Sequence, residues 1–170
     1  WQLEIPKNEK IILISNENNL GKGTALKLGF LKSIELKTLI TITLDADLQH
    51  DPKQIPSFLN HIENYDCIIG KREISKTKMP IHRRLSNYLT SKLLSIKTGT
   101  KILDSQSGFR AFKTNILENI LPQFAGFEAE SEMIVKLCKQ NYKLGFIDIP
   151  TIYGNDNSKM KAIPTILGFT

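Results

Sequence analysis

The stretch LITITLDADLQHD, from Leu39 to Asp51, determines the fold that we expect for this chain. Six of its first seven residues are Leu, Ile or Thr, which is typical of a strand buried on both faces of a sheet. Three carboxylates, Asp45, Asp47 and Asp51, then follow within seven residues. A buried strand that ends in carboxylates indicates a functional site at that end of the sheet.

Strand-like and helix-like segments alternate along the rest of the chain. Strands are predicted at residues 10–15, 37–44, 66–70 and 144–150, and helices at 23–36, 51–62, 84–96, 114–121 and 128–141. This alternation predicts a single α/β domain over residues 1–170, with helices flanking a mainly parallel sheet.

Hydrophobic spacing also predicts which side of each helix is buried. In the helix that begins at residue 51, Asp51 is a suitable N-cap and Pro52 a suitable first residue. The residues expected to point inward are Leu28, Leu31 and Ile34 in the first helix, Ile55, Phe58, Leu59 and Ile62 in the second, and Leu85, Leu89 and Leu93 in the third.

Composition is that of an ordinary globular domain, with 41% hydrophobic and 24% charged residues in 170. No run approaches the ~18 apolar residues of a membrane span, and no signal peptide is visible. Cys67 and Cys138 lack zinc-type spacing and are expected to be free thiols in a reducing compartment.

The formal net charge of +6 is compatible with nucleic acid, anionic lipid or a phosphorylated substrate as partner. Much of the excess lies in the segment GKREISKTKMPIHRR, residues 70–84, where six Lys or Arg residues accompany one Glu. A solvated loop is the simplest interpretation of this segment.

The pair Asp45 and Asp47 is suited to a metal ion. Two residues apart in an extended segment, both side chains point the same way and can address one cation, and carboxylates favour Mg²⁺ or Mn²⁺. A turn-and-cap role is the structural alternative. Phosphohydrolases with a strand-terminal Asp-x-Asp usually have Thr or Val next, whereas this chain has Leu48.

Four further features carry polar chemistry. The segment NNLGKGTA, residues 18–25, lacks the spacing of a P-loop but opens a helix with glycines and Lys22, where an anion could bind or where the helix simply begins. DSQSGFRAF, residues 104–112, is either a plain turn or a site segment. The acids of GFEAESEM, residues 126–133, favour a helix N-terminus. His50, His61 and His82 lack metal-ligand spacing and are expected to be surface or packing residues.

Taken in order, the motifs resemble the inverting family 2 glycosyltransferases, and especially the dolichyl- or polyprenyl-phosphate sugar synthases. They are NLGKGTALKLGF, LDADLQHDP, IIGKRE, HRRLSNYLTSKLL, DSQSGFRAF, GFEAESEM and IPTIYGNDNSK, and they extend from about residue 10 to residue 159. The resemblance implies a GT-A fold and transfer of one sugar from a nucleotide-diphosphate sugar, GDP-mannose or a UDP-sugar, to a polyprenyl or dolichyl phosphate.

The same resemblance implies residue roles. Mg²⁺ or Mn²⁺ would be held by Asp45, Asp47 and Gln49. Substrate would contact Gly21, Lys22, Gly23, Asp45, Arg72, Arg83, Arg84 and Lys159. Catalytic roles fall to Asp104, Arg110, Glu128 and Glu132, although an ionised phosphate acceptor needs positioning more than a base. The implied location is the cytoplasmic face of a membrane, with no nucleic-acid partner.

Two alternatives stay open at this stage. One is a family 2 transferase that acts on a polysaccharide or lipid hydroxyl. The other is a non-catalytic remnant, because the opening strand and DDGS-like segment of the family have no counterpart before Lys10. We therefore expect a GT-A domain that lacks its first strands.

Overall fold

The computed structural model describes residues 11–73 and 80–150. Five helices and four strands lie in these ranges. In chain order they are α1 (Lys22–Glu35), β1 (Ile40–Thr43), α2 (Ile55–His61), β2 (Cys67–Arg72), α3 (Ile81–Thr98), β3 (Arg110–Lys113), α4 (Leu117–Ile120), α5 (Glu128–Lys139) and β4 (Leu144–Ile149).

The four strands form one mixed sheet in the order β1-β3-β2-β4. Strand β3 is antiparallel to both β1 and β2, and only β2 and β4 are parallel. The α/β prediction is confirmed, but the expectation of a mainly parallel sheet is wrong for the described residues. The cause is β3, which begins inside the segment that the sequence indicated as a polar turn.

Helices cover both faces of the sheet, because neighbouring residues of each strand point to opposite sides. Ile69 and Phe112 pack on one side in a cluster with Phe30 of α1, Leu117 of α4 and Met133 of α5. The other side buries a second cluster made by Phe58, Ile62, Ile68, Phe109, Ala111 and Ile149. The helix that was predicted from residue 51 therefore covers the second face.

Two strand predictions are corrected near the start of the described chain. Residues 11–15 form no strand, and Ile11, Ile12, Leu13 and Ile14 are 45% to 66% exposed. Strand β1 forms as predicted but lies at the edge of the described sheet, and none of its residues is fully buried. Its expected burial on both faces is therefore wrong for the described part of the sheet, where β3 is the one strand that pairs with it.

Helix α3 buries the side opposite to the one that the sequence predicted. Leu85, Leu89 and Leu93, expected to point inward, are 43% to 59% exposed. The buried residues of this helix are Asn87, Thr90, Ser91 and Leu94. Leu31 and Leu59 are also exposed, at 42% each, whereas Phe58 and Ile62 are buried as predicted.

The cap predicted at Asp51 and the free thiols predicted at Cys67 and Cys138 agree with the structure. Asp51 caps the short 3-10 turn Pro52–Gln54 by accepting the backbone N–H of Lys53. Both cysteines are free, and burial raises the pKa of the Cys67 thiol to about 12, which leaves it unreactive. Within the described ranges, no helix combines the length and the apolar character that crossing a bilayer requires.

Candidate functional site

The centre of the candidate site is Asp45, two residues beyond the end of β1. Its carboxylate lies against the backbone of Gly108, where a Cβ atom would be only 2.4 Å from Asp45 Oδ2. Thr43 Oγ1 donates a hydrogen bond of 2.8 Å to the carbonyl of Gly108, which ties the end of β1 to the segment before β3. The Asp45 carboxylate can therefore occupy this position only because residue 108 is a glycine, since any side chain there would displace it.

Lys22 at the start of α1 joins Asp45 to α5. Its Nζ lies 2.7 Å from Asp45 Oδ1 and 2.8 Å from Glu130 Oε1, and the Glu130 side chain is only 7% exposed. Burial lowers the pKa of Lys22, but the charges of Glu130 and Asp45 outweigh burial and raise it above its ordinary value. The ammonium thus stays charged between two carboxylates.

Asp47 occupies a strained turn beside this cluster. Its Oδ1 accepts the backbone N–H of Gln49 at 3.1 Å, and the intervening Leu48 has φ of +61° and is 81% exposed. A leucine in the left-handed region is uncommon and is often found at functional sites. The turn leaves the Asp47 side chain exposed to solvent, next to the anchored Asp45.

His50 is a site residue that sequence reasoning placed only as surface or packing. It is buried, its ring packs against Phe109 at 5.3 Å between centroids, and its Nδ1 accepts the backbone N–H of Asp45 at 3.3 Å. Burial lowers the pKa of His50, against the opposing influence of Asp45 and Asp47. The ring is therefore neutral near pH 7 and positions the backbone of Asp45.

Asp104 and Arg72 form a second, buried ion pair. Arg72 donates to Asp104 from Nε at 2.8 Å and from Nη2 at 2.9 Å, and Asp104 is fully buried. The backbone N–H of Gln106 also donates to this carboxylate. These bonds occupy the Asp104 carboxylate, for which a catalytic role is predicted, and part of the Arg72 fork that is predicted to hold phosphate. Both roles stay predictions.

Arg110 is 2% exposed, and its guanidinium donates to three backbone carbonyls. The acceptors are Ser107 at 2.8 Å, Glu130 at 2.9 Å and Ser105 at 2.9 Å. The guanidinium thus positions the segment before β3 against the start of α5. The catalytic role predicted for Arg110 stays a prediction.

Glu132 also has a structural position. Its carboxylate accepts the backbone N–H groups of Gln123 and Phe124 and pairs with Lys136 at 2.7 Å. Glu128 accepts the backbone N–H of Gly126. The acid of α5 that reaches the site is Glu130, between the two that were predicted. The rotation of α5 about its own axis determines which acid faces the site, since residues two apart on a helix point in different directions.

The glycine turn before α1 packs against the chain rather than opening toward solvent. Gly23 donates its N–H to the carbonyl of Ala125 at 2.6 Å, and a Cβ on Gly23 would lie 2.0 Å from the carbonyl oxygen of Phe124. Gly21 has φ of +87° and would clash with Ala125 in the same way. Gly21 and Gly23 therefore have a packing role in this turn, and the substrate contacts predicted for them and for Lys22 stay predictions.

Arg83 and Arg84 lie at the start of α3, where Arg84 is exposed and Arg83 half-buried. Across residues 11–73 and 80–150, no ion pair holds either side chain. Lys159, expected near the diphosphate, lies outside the described residues, as do residues 74–79 of the basic segment.

The carboxylates of the site fit a hard metal ion that also binds oxygen ligands from water or substrate. Among the described residues, no group of three or more His, Cys, Asp or Glu side chains is gathered for a metal. Mg²⁺ commonly binds through one or two protein carboxylates together with water and substrate phosphates. Asp45, which is anchored, and Asp47, which is exposed, match that requirement. A groove of about 430 Å³ between α1 and β1 leads to Lys22 and Asp45.

A likeness to solved structures identifies the fold. The chain aligns with glucosyl-3-phosphoglycerate synthase from Mycobacterium tuberculosis, in a complex with Mn²⁺, uridine diphosphate and glucosyl-3-phosphoglycerate, with a TM-score of 0.65 and 16% identity over 87% of this chain. The fold is therefore the GT-A fold of glycosyltransferases. Residues 2–121 match glycosyl transferase family 2, and the chain belongs to that family.

Two relatives have names that state an activity. The UDP-N-acetylglucosamine–dolichyl-phosphate N-acetylglucosaminyltransferase of Methanococcus voltae is 32% identical over 94% of this chain. The undecaprenyl-phosphate mannosyltransferase of Micrococcus luteus is 30% identical over 59% of it. The chain spans 66% and 42% of these two relatives and 54% of the solved synthase.

Proposed function

We propose that the protein transfers one sugar, with inversion, from a nucleotide-diphosphate sugar to a polyprenyl phosphate at a membrane surface. The observation that carries this proposal is the anchored Asp45 beside the exposed Asp47, at the end of β1 and next to Lys22. In open α/β sheets, ligands collect beyond the ends of strands, where such groups can meet a diphosphate.

Asp45 and Asp47, with Gln49, are the residues that would hold Mg²⁺ or Mn²⁺. When bound, the ion supplies Lewis-acid stabilisation of the charge that develops on the leaving diphosphate. Lys22 adds a charged ammonium at the same place, held by Asp45 and Glu130. His50 fixes the backbone of Asp45 through a neutral ring, so the carboxylate does not have to reorganise when the donor arrives.

The acceptor proposal is supported by what the predicted bases contact. Of the three predicted bases, Asp104 is committed to Arg72, Glu132 to two backbone N–H groups and Lys136, and Glu128 accepts the backbone N–H of Gly126. A hydroxyl acceptor requires a base, but a phosphate acceptor is ionised near neutral pH and requires orientation. The names of both relatives include a polyprenyl-type phosphate acceptor. These two lines favour the phosphate over a hydroxyl.

A UDP-sugar is the donor that we propose. One relative is named for UDP-N-acetylglucosamine, and the solved synthase contains uridine diphosphate. GDP-mannose is the competing donor. Both donors can be compared in one assay, with release of nucleoside diphosphate as the common readout.

The test is Asp47→Asn, assayed with Mn²⁺, each donor and a polyprenyl phosphate in the chain and in any longer natural polypeptide that contains it. We expect a loss on the order of 100-fold in transfer, the usual scale for removal of one charge contact in the transition state. Stability should be unchanged, because Asp47 is exposed. Asp51→Asn, which alters a helix cap outside the cluster, is the control.

Unchanged turnover in Asp47→Asn would overturn the metal assignment. No transfer from either donor to either a phosphate or a hydroxyl acceptor would support a non-catalytic remnant. Transfer to a hydroxyl but not to a phosphate would leave the family standing and refute the proposed acceptor.

A further inference from the structure

Helix α3 has a polar buried side and an apolar exposed side. Asn87 and Ser91 are 1% and 5% exposed, and Ser91 Oγ bonds to Ser105 Oγ at 3.0 Å. The opposite side, called here the α3 apolar face, is 43% to 81% exposed and consists of Ile81, Leu85, Tyr88, Leu89, Leu93 and Ile96. A helix that faces only water normally has the reverse arrangement.

The charges of α3 all have one sign. The helix contains Arg83, Arg84, Lys92 and Lys97 and has no Asp or Glu. Lys92 lies within the α3 apolar face, with its Nζ 5.9 Å from the centre of the Tyr88 ring. Long basic side chains of this kind can extend along an apolar surface while the charged ends reach phosphate groups.

We propose that the α3 apolar face is a docking surface for an anionic lipid bilayer. Helices with Leu, Ile and aromatic residues on one side and Lys or Arg around it lie in the plane of the membrane interface. A second copy of the chain is a poorer occupant, because two such helices would bring four basic residues against four. Charge complementarity therefore selects the lipid surface.

This inference deepens the proposed function and rests on it for its biological meaning, since a polyprenyl phosphate is a membrane lipid. The buried side of α3 connects directly to the site. Ser91 accepts the backbone N–H of Ser105, in the segment that begins with Asp104 and places Gly108 against Asp45. Docking of α3 would thus hold that segment close to the bilayer.

The experiment measures flotation of the chain with vesicles of phosphatidylcholine, with and without phosphatidylglycerol. We expect binding to the mixed vesicles that falls at least about tenfold in the double variant Leu85→Gln, Leu89→Gln, because two leucines no longer enter the interface. The matched control is Leu31→Gln, Leu59→Gln, on α1 and α2, where both leucines are 42% exposed. This control should bind as the unaltered chain does.

Charge and depth are tested separately. Lys92→Glu with Lys97→Glu should abolish the preference for phosphatidylglycerol. In a Trp1→Phe background, Leu89→Trp should show blue-shifted emission with the mixed vesicles and quenching by brominated lipid. Leu89, Lys92 and Lys97 are exposed on α3, so circular dichroism should report an unchanged fold for these changes.

Equal vesicle binding by the α3 variant and its control would overturn the proposal. So would sedimentation as a dimer that Leu85→Gln, Leu89→Gln converts to monomer without any vesicle binding, which would assign the face to a second copy. Because flotation needs neither donor nor turnover, failure of sugar transfer would leave this result intact, and loss of vesicle binding would not refute the transferase.

Discussion

The ammonium of Lys22 lies 2.7 Å from the carboxylate of Asp45, which bonds the start of α1 to the end of β1. Glu130 contacts the same ammonium from α5. Three elements that are distant in sequence thus meet at one charged atom. The pairing gives a structural reason for the lysine that follows Gly21.

Replacement of Lys22 by Met should destabilise the protein. The change leaves Asp45 and the buried Glu130 without their shared cation, and we expect a loss of about 1–3 kcal/mol, reduced from the value for fully buried pairs because Lys22 and Asp45 are partly exposed. Urea unfolding measures this loss. The control is Lys32→Met in the same helix. Lys32 pairs with Glu35 and is more exposed than Lys22, so its loss should change stability by less than about 0.5 kcal/mol.

The same pair predicts behaviour at high pH. Because the pKa of Lys22 is raised in the folded protein, its contribution is fully present below the ordinary value of 10.5 and is lost as pH rises through the folded value. Unfolding curves in alkaline buffer should show this decline in the unaltered chain. An identical decline in Lys22→Met would show that other groups cause it.

The burial of His50 predicts that the stability of the protein depends on pH in mildly acidic buffer. Burial lowers its pKa, so the unfolded state binds a proton more readily, and stability should fall as pH decreases through the ordinary value of 6.5. Protonation of Nδ1 would also remove the acceptor for the backbone N–H of Asp45. Urea unfolding at about pH 7.5 and about pH 5.5 covers the titration range of an ordinary histidine.

His50→Asn keeps an acceptor oxygen but no titrating group, so its stability should depend less on pH over the same interval. It should also be less stable at the higher pH, because contact with Phe109 is lost. A pH dependence as steep as that of the unaltered chain would exclude His50 as its source.

Local pattern predicted most helices and strands, because capping and hydrophobic spacing are local properties. Asp51 and Pro52 marked their helix start correctly. Strand β3 was missed because its first residue, Arg110, is charged yet buried, and the backbone carbonyls of Ser105, Ser107 and Glu130 make that burial tolerable. Its antiparallel direction follows from tertiary contacts that no local pattern contains.

The candidate site was predicted in part for a similar reason. A strand followed by Asp45 and Asp47 is visible in sequence. The selection of Glu130 rather than Glu128 or Glu132 depends on the rotation of α5, and the Asp104–Arg72 pair joins residues 32 apart. The leucine stripe of α3 was visible too, but periodicity gives a helix face and not the partner that covers it.

Arg83 and Arg84 should affect the acceptor more than the donor. With both changed to Ala, we expect at least about a tenfold loss in use of a polyprenyl phosphate, since each guanidinium can pair with a phosphate through two hydrogen bonds. Binding of the nucleotide sugar should be unchanged. A short-chain acceptor in detergent separates this effect from vesicle docking, and Lys97→Ala at the other end of α3 is the control. Parallel losses for donor and acceptor would instead assign the two arginines to the donor or the fold.

Gly108→Ala should damage the site more than the fold. The added Cβ would lie 2.4 Å from Asp45 Oδ2 and 2.6 Å from Oδ1, so the carboxylate has to move away from its position beside Lys22. Because a side-chain end can move more easily than backbone, we expect the protein to fold with weaker Mn²⁺-dependent binding of the nucleotide sugar, by about tenfold or more.

Gly29→Ala is the matched control, since its Cβ meets nothing within 4 Å in the middle of α1. That change should stabilise the protein by about 0.5–1 kcal/mol and leave the Asp45 carboxylate beside Lys22. Calorimetric titration with Mn²⁺ and nucleotide sugar, beside urea unfolding, measures both quantities, and normal donor binding by Gly108→Ala would refute the role given to the Asp45 position.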